Sequence, residues 1–279
     1  MPRAQAMPPV VASFRFYAEL NDFIAPERRH CVSAQSCAAD ATVKHAIEAC
    51  GVPHTEVELI LVNGEAVDFS YRLRDGDRVS VYPVFEAFDV TPLLRLRPRP
   101  LRETRFFADA HLGGLARLLR LAGFDTRYEN GGDDGGIIRI ALAEGRIVLS
   151  RDRELLMRRE LTHGCYVHAL QPDAQLAEVL ARLDLLGSLR PFSRCLECNA
   201  PLAAIDKAAV SADLPPSVRE RQQRFSRCAV CRRVYWEGSH WQHMQERLLR
   251  AVASARALRD HGGGAAPAAG PYSGPYSGA

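Results

Sequence analysis

The chain has 279 residues, 47% hydrophobic and 25% charged, a globular composition that excludes a fibrous or wholly disordered protein. No apolar run approaches the roughly 18 residues a membrane span needs. The start MPRAQAMPPVVASF lacks the long apolar core of a secretory signal. The expected compartment is therefore the cytoplasm, and a net charge of +3 is too small to demand a polyanionic partner.

The length suits two or three domains. From Val10 to about Val84 the pattern is strand-rich with one helix. Ser13 to Tyr17 alternates as a strand does, and Thr42 is placed to cap a helix running to Cys50. Glu58–Val62, the Asn63-Gly64 pair and Glu65–Phe69 predict a β-hairpin. Leu73 to Pro83 predicts a turn and one more strand, and the ββαββ order suggests a small α+β roll. Pro92 to Pro100, proline- and arginine-rich, predicts a linker.

Beyond it strands and helices alternate. Thr104–Ala108, a strand starting at Asp125, Arg146–Leu149 and Tyr166–Ala169 are the expected strands. Leu112–Leu121, Ile137–Ala143, Arg153–Arg159 and Ala174–Leu185 are the expected helices. Leu112, Leu115, Ala116 and Leu119 form the buried stripe of the first helix, with Arg117 and Arg120 mostly off that face. Such alternation implies a parallel sheet with crossover helices. A cysteine-rich module follows over Phe192–His243, then a helix over Gln245–Arg259. The tail 261–279 is Gly/Ala/Pro-rich and is expected to be disordered.

Cys195-Leu-Glu-Cys198 and Cys228-Ala-Val-Cys231 each offer two thiolates from one tight turn, the donor set of a closed tetrahedral zinc site. A redox dithiol is the competing reading of a single pair. With four thiolates no position stays open, so this zinc is expected to be structural. Cys31, Cys37, Cys50 and Cys165 are scattered and expected to be buried thiols. Arg219, Arg221, Arg224, Arg227, Arg232 and Arg233 surround the second pair, either a solvated face or a patch for a phosphate backbone. His240 and His243 are read as surface groups or phosphate contacts rather than ligands. Tyr235, Trp236 and Trp241 are available either for base stacking or for the module's own core.

Acids fall where parallel sheets bind ligands, at the carboxyl ends of strands. Asp109 follows the first strand, Asp152 follows the strand ending at Leu149, and Asp134 precedes the helix containing Ile137 and Ile138. Converging carboxylates require cations, and hard oxygen donors favour Mg²⁺ or Mn²⁺. This points to metal-assisted phosphodiester hydrolysis by Asp109, Asp134 and Asp152. Asp134 and Asp152 are equally plain helix caps, and Asp133 is an alternative to Asp134.

The stretch Phe107-Ala-Asp109-Ala-His-Leu-Gly-Gly-Leu-Ala-Arg-Leu-Leu-Arg-Leu-Ala-Gly-Phe-Asp125 resembles the opening of the Mut-seven C-terminal RNase domain family of PIN-like nucleases. Leu149-Ser-Arg-Asp152-Arg-Glu-Leu and the two cysteine knuckles resemble the same family's third-strand acid and appended zinc ribbon. The resemblance implies an α/β PIN-like Rossmannoid three-layer domain over 104–190 with a zinc ribbon over 191–244. It also implies metal-dependent RNA hydrolysis with the acidic positions on Asp109, Asp134 and Asp152. PIN nucleases often carry a fourth acid near the third, where this chain has Arg153, with Glu154 as a stand-in. Residues 10–90 resemble the ubiquitin-like β-grasp domain that precedes this nuclease, joined by a linker over 91–103. A sulfur-carrier role needs a free terminal Gly-Gly, whereas here Val84-Phe-Glu-Ala-Phe follows the last strand, so protein binding is the expected role. RNA is the expected substrate, with Arg117, Arg120, Arg232, Arg233, Trp236 and His240 as candidate contacts. The alternative is a non-catalytic RNA-binding adaptor on a degenerate nuclease sheet.

Overall fold

The computed structural model describes residues 8–83 and 104–262. The expected linker over Pro92–Pro100 and the tail beyond residue 262 lie outside the described residues.

The N-terminal unit is a mixed sheet built from β1 (Val10–Phe16), β2 (Ser33–Cys37), β3 (Leu59–Val62), β4 (Glu65–Val67) and β5 (Arg78–Tyr82) in the order β2-β1-β5-β3-β4. Its central pair β1 and β5 is parallel and the other pairings are antiparallel. Helix α1 (Val43–Ala49) is capped by Thr42, whose hydroxyl accepts the His45 amide. The inward positions of β1, Ala12, Phe14 and Phe16, pack with Val43, Ile47, Ile60 and Val81. The β3–β4 turn places Asn63 at φ 53° and Gly64 at φ 94°, the left-handed pair that a two-residue hairpin needs. This order around one helix is the ubiquitin-like β-grasp architecture.

The second unit is a four-stranded parallel sheet of β6 (Arg105–Ala108), β7 (Asp125–Tyr128), β8 (Ile147–Ser150) and β9 (Gly164–Tyr166), in the order β7-β6-β8-β9. Because side chains alternate along β6, Phe106 and Phe107 enter different layers. Phe106 joins α2 (Gly113–Ala122) and α5 (Pro172–Arg182), while Phe107 joins α3 (Asp134–Glu144) and α4 (Arg153–Leu156). The predicted stripe Leu112, Leu115, Ala116 and Leu119 is fully inside. Helix α2 ends on Gly123 at φ 101°, where an added Cβ would lie 2.2 Å from the Arg190 carbonyl, so only glycine fits.

Several element boundaries differ from the sequence reading. Helix α4 stops at Leu156 rather than Arg159. Strand β9 runs Gly164–Tyr166 rather than Tyr166–Ala169, because the carbonyls of Val167, His168 and Ala169 accept from Arg151 instead of a neighbouring strand.

The third part is a small antiparallel sheet, β10 (Leu202–Ile205), β11 (Phe225–Cys228) and β12 (Val234–Trp236), with short helices α6 (Lys207–Val210) and α7 (Pro216–Arg221) between β10 and β11. Helix α8 (Ser239–Gly262) begins earlier than expected, and its Leu248, Ala251 and Ala255 complete the core around α2 and α5. Among the described residues no helix is long and apolar enough to cross a membrane.

Candidate functional site

Parallel pairing of β6 with β8 brings two of the predicted acids to the carboxyl end of the sheet. The chain leaves β6 toward β7 on one side and returns to β8 on the other, so Asp109 sits at the topological switch point. Its backbone N–H donates to the Leu149 carbonyl at 3.0 Å. The Asp109 carboxylate, 9% exposed, accepts the Ala110 N–H at 2.5 Å and the Ser150 hydroxyl at 2.8 Å. That same Ser150 oxygen accepts the Asp152 N–H at 2.9 Å. Ser150 therefore ties Asp109 to the turn that carries Asp152, a link that sequence reading did not identify. Asp152 is exposed and caps α4, accepting the Glu154 and Leu155 amides at 2.8 and 3.4 Å.

Asp134 is exposed in the first turn of α3, and Asp133 is its N-cap residue without a side-chain capping bond. Neither joins Asp109 and Asp152 in a compact group: among the described residues, groups of three or more potential ligands lie within 4.8 Å of one another only at the four knuckle cysteines. The described residues show no ion pair to Asp109 or Asp152. A buried carboxylate without a counter-cation is a donor set that suits a hard divalent ion.

The cysteines form the tightest cluster. Cys195 and Cys231 sulfurs are 3.5 Å apart, and those of Cys198 and Cys228 are 3.3 Å apart. Four thiolates around zinc, with bonds near 2.3 Å, have sulfurs about 3.8 Å apart, so the four are placed to hold a zinc ion. The residue after each second cysteine, Asn199 at φ 67° and Arg232 at φ 62°, is left-handed, closing two matching knuckles. Burial pushes the Cys195 thiol up, but backbone N–H groups and the Tyr235 hydroxyl at 3.1 Å more than offset it, bringing it to about 6. Burial dominates at Cys198, which is pushed up to about 12.

The knuckle is fastened to α2 and to strand β7. Arg120 donates from Nε to the Thr126 carbonyl at 2.9 Å and from Nη1 to the carbonyls of Leu196 and Glu197 at 3.0 and 2.8 Å. Asn199 accepts the Thr126 N–H at 2.9 Å and donates to Asp125 at 2.7 Å. Asp125 in turn pairs with Arg146 at 2.7 Å.

These contacts correct the candidate RNA residues. Arg120 is 7% exposed and spends its guanidinium on carbonyls, so it is a fastener rather than a phosphate contact. Trp236 is half-buried against Val210, Leu214 and Phe225, because so small a sheet needs an aromatic core. Trp241 stacks on Phe192 at 4.7 Å, and Tyr235 serves Cys195. Arg232, Arg233 and His240 are exposed, and Arg117 is exposed beside Glu197 at 3.6 Å. Of the scattered cysteines only Cys165 is buried; Cys31 is exposed and Cys37 and Cys50 are intermediate.

The Mut7-C RNAse domain matches residues 104–248, more than half of the chain. The chain belongs to the Mut7-C RNAse domain family. The Mut7-C ubiquitin domain matches residues 9–89, in agreement with the β-grasp sheet. Two crystal structures of Haloferax volcanii small archaeal modifier protein 1 are similar at 20% identity with a TM-score of 0.23. They cover 27% and 28% of this chain and 99% of their own. No curated protein matches. As a Mut7-C chain, the protein carries a nuclease-type domain, and RNA is the substrate its family name implies.

Proposed function

We propose that the protein is a metal-dependent ribonuclease that hydrolyses RNA phosphodiester bonds at the strand ends bearing Asp109 and Asp152. The observation that carries this is the buried Asp109 carboxylate, without a cation among the described residues and joined through Ser150 to Asp152. Asp109 and Asp152 would hold the ion, and Asp134, or Asp133 beside it, would approach from the N-terminus of α3. A bound Mg²⁺ or Mn²⁺ supplies an activated water and charge stabilisation for the leaving oxygen. The chain's own contribution is to fix the carboxylates: Ser150 orients Asp109, and the first turn of α4 orients Asp152. The knuckle zinc has no open position and supports the ribbon, whose exposed Arg232, Arg233 and His240, with Arg117, would track the RNA backbone. Purified protein is expected to cut RNA with Mg²⁺ or Mn²⁺ but not after chelation of both. Asp109→Asn should abolish cleavage while leaving the melting temperature within a few degrees; cleavage at the wild-type rate would sink the assignment.

A second reading has its own support. Asp109 and Asp152 already accept backbone amides as local caps, and Asp134 stands apart. An RNA-binding adaptor on the same fold would bind RNA without any metal-stimulated cleavage, and the same assay separates the two.

A further inference from the structure

The β-grasp unit and the parallel sheet meet at the edge strand β9. The turn of His54, Thr55 and Glu56 is buried there. Glu56, 4% exposed, accepts the Tyr166 N–H on one oxygen and the Arg182 guanidinium on the other. It thereby satisfies a donor on the outer strand of this sheet, which has no further strand beyond it among the described residues. The His54 ring spans Glu48 and the Leu161 carbonyl, at 2.8 Å each. Phe23 lies edge-on to Tyr166 at 5.3 Å.

This contact reaches the acidic site. The Arg153 guanidinium sits 5.0 Å from the Phe23 ring centre and 5.6 Å from that of Tyr166. Arg153 directly follows Asp152 and opens α4, the turn whose amides hold the Asp152 carboxylate. A guanidinium one residue from Asp152 is drawn toward nearby carboxylates unless another seat competes. The two aromatic faces provide that seat.

We propose that the β-grasp domain acts in cis as a positioning element for the acidic site: Glu56 fastens β9, and Phe23 seats Arg153, ordering the turn that carries Asp152. The importance of that turn rests on the ribonuclease reading above, whereas the ordering itself does not.

Amide hydrogen exchange on the full chain tests this, using wild type, Phe23→Leu, Phe23→Tyr and Glu56→Gln. Phe23→Leu keeps apolar volume but removes the aromatic face, and Phe23→Tyr restores it. Phe23→Leu should speed exchange of the Glu154 and Leu155 amides by about three-fold, the strength of an exposed cation–π contact. Phe23→Tyr should return them to wild type. Glu56→Gln should speed the Tyr166 amide by about ten-fold, as a charge-assisted bond becomes a neutral one. Unchanged Glu154 and Leu155 exchange in Phe23→Leu overturns the proposal, as does acceleration spread evenly over both domains. RNA cleavage by Phe23→Leu should fall in kcat with KM unchanged. A wild-type chain that cuts no RNA would sink the ribonuclease reading, while the exchange rates still decide the clamp.

Discussion

At the end of β8, one hydroxyl serves two acids: Ser150 is fully buried, donates to Asp109 and accepts from the Asp152 amide. Ser150→Ala removes a charge-assisted donor from a buried carboxylate and leaves the Asp152 N–H unpaired. It should cost about 1–3 kcal/mol in thermal melts. It should also slow RNA cleavage by about ten-fold or more, since partners behind metal ligands carry effects of that size. Unchanged stability and rate would show that Ser150 is not the link. The strand-end positions of Asp109 and Asp152 were legible in the sequence, because Asp109 directly follows one apolar strand and Asp152 stands two residues beyond another. Ser150 gave a weaker signal, its spacing two residues before Asp152, and only the β6–β8 pairing shows what it bonds. Arg120 was illegible for a different reason. Helical spacing placed it off the apolar stripe, but the carbonyls that capture it lie far along the chain, at Leu196 and Glu197.

Among the elements, the ribbon depends on that capture. Arg120→Met keeps the apolar stem but leaves three carbonyls, two of them in buried contacts, without that donor, and should destabilise the protein by about 2–4 kcal/mol. Arg120→Lys should recover little of this, because an ammonium cannot reproduce the forked geometry. Differential scanning calorimetry of the two variants checks both expectations. The Asp125 cluster adds an acid sensitivity. Burial raises the Asp125 carboxyl, but hydrogen bonds from Arg146 and Asn199 outweigh it and hold it below the ordinary carboxylate range. A depressed carboxyl contributes stability that is present above its unfolded value, about 3.9, and lost as pH falls through the lower folded value. Melting temperature should therefore drop below about pH 4, and Asp125→Asn should flatten that limb. Strong periodicity made α2, α5 and the β3–β4 hairpin readable. Residues 168 and 169 misled because alternation alone does not reveal that Arg151 and Glu178 take the place of a strand partner.

For the whole molecule, three modules surround one sheet. The β-grasp unit meets edge strand β9 and Arg182 of α5, while the zinc knuckle is fastened to α2 and β7, and α8 packs against α2 and α5. Module identity was readable from motifs, but their mutual fastening was not, since Glu56–Arg182 and Arg120–Leu196 are pairs remote in sequence. Stripping zinc with a strong chelator should unfold the ribbon and weaken RNA binding several-fold, seen as lost circular dichroism and a raised dissociation constant. The Asp109 and Asp152 carboxylates should remain in place, so replenished Mn²⁺ should sustain residual cleavage.

The central claim is that the chemistry resides where β6 and β8 end, away from the zinc. Crystals soaked in Mn²⁺ and measured at the manganese absorption edge test it most directly. The account predicts an anomalous peak about 2.2 Å from carboxylate oxygens of both Asp109 and Asp152, absent in Asp109→Asn. A manganese peak elsewhere, in protein that cuts RNA with manganese, would contradict it.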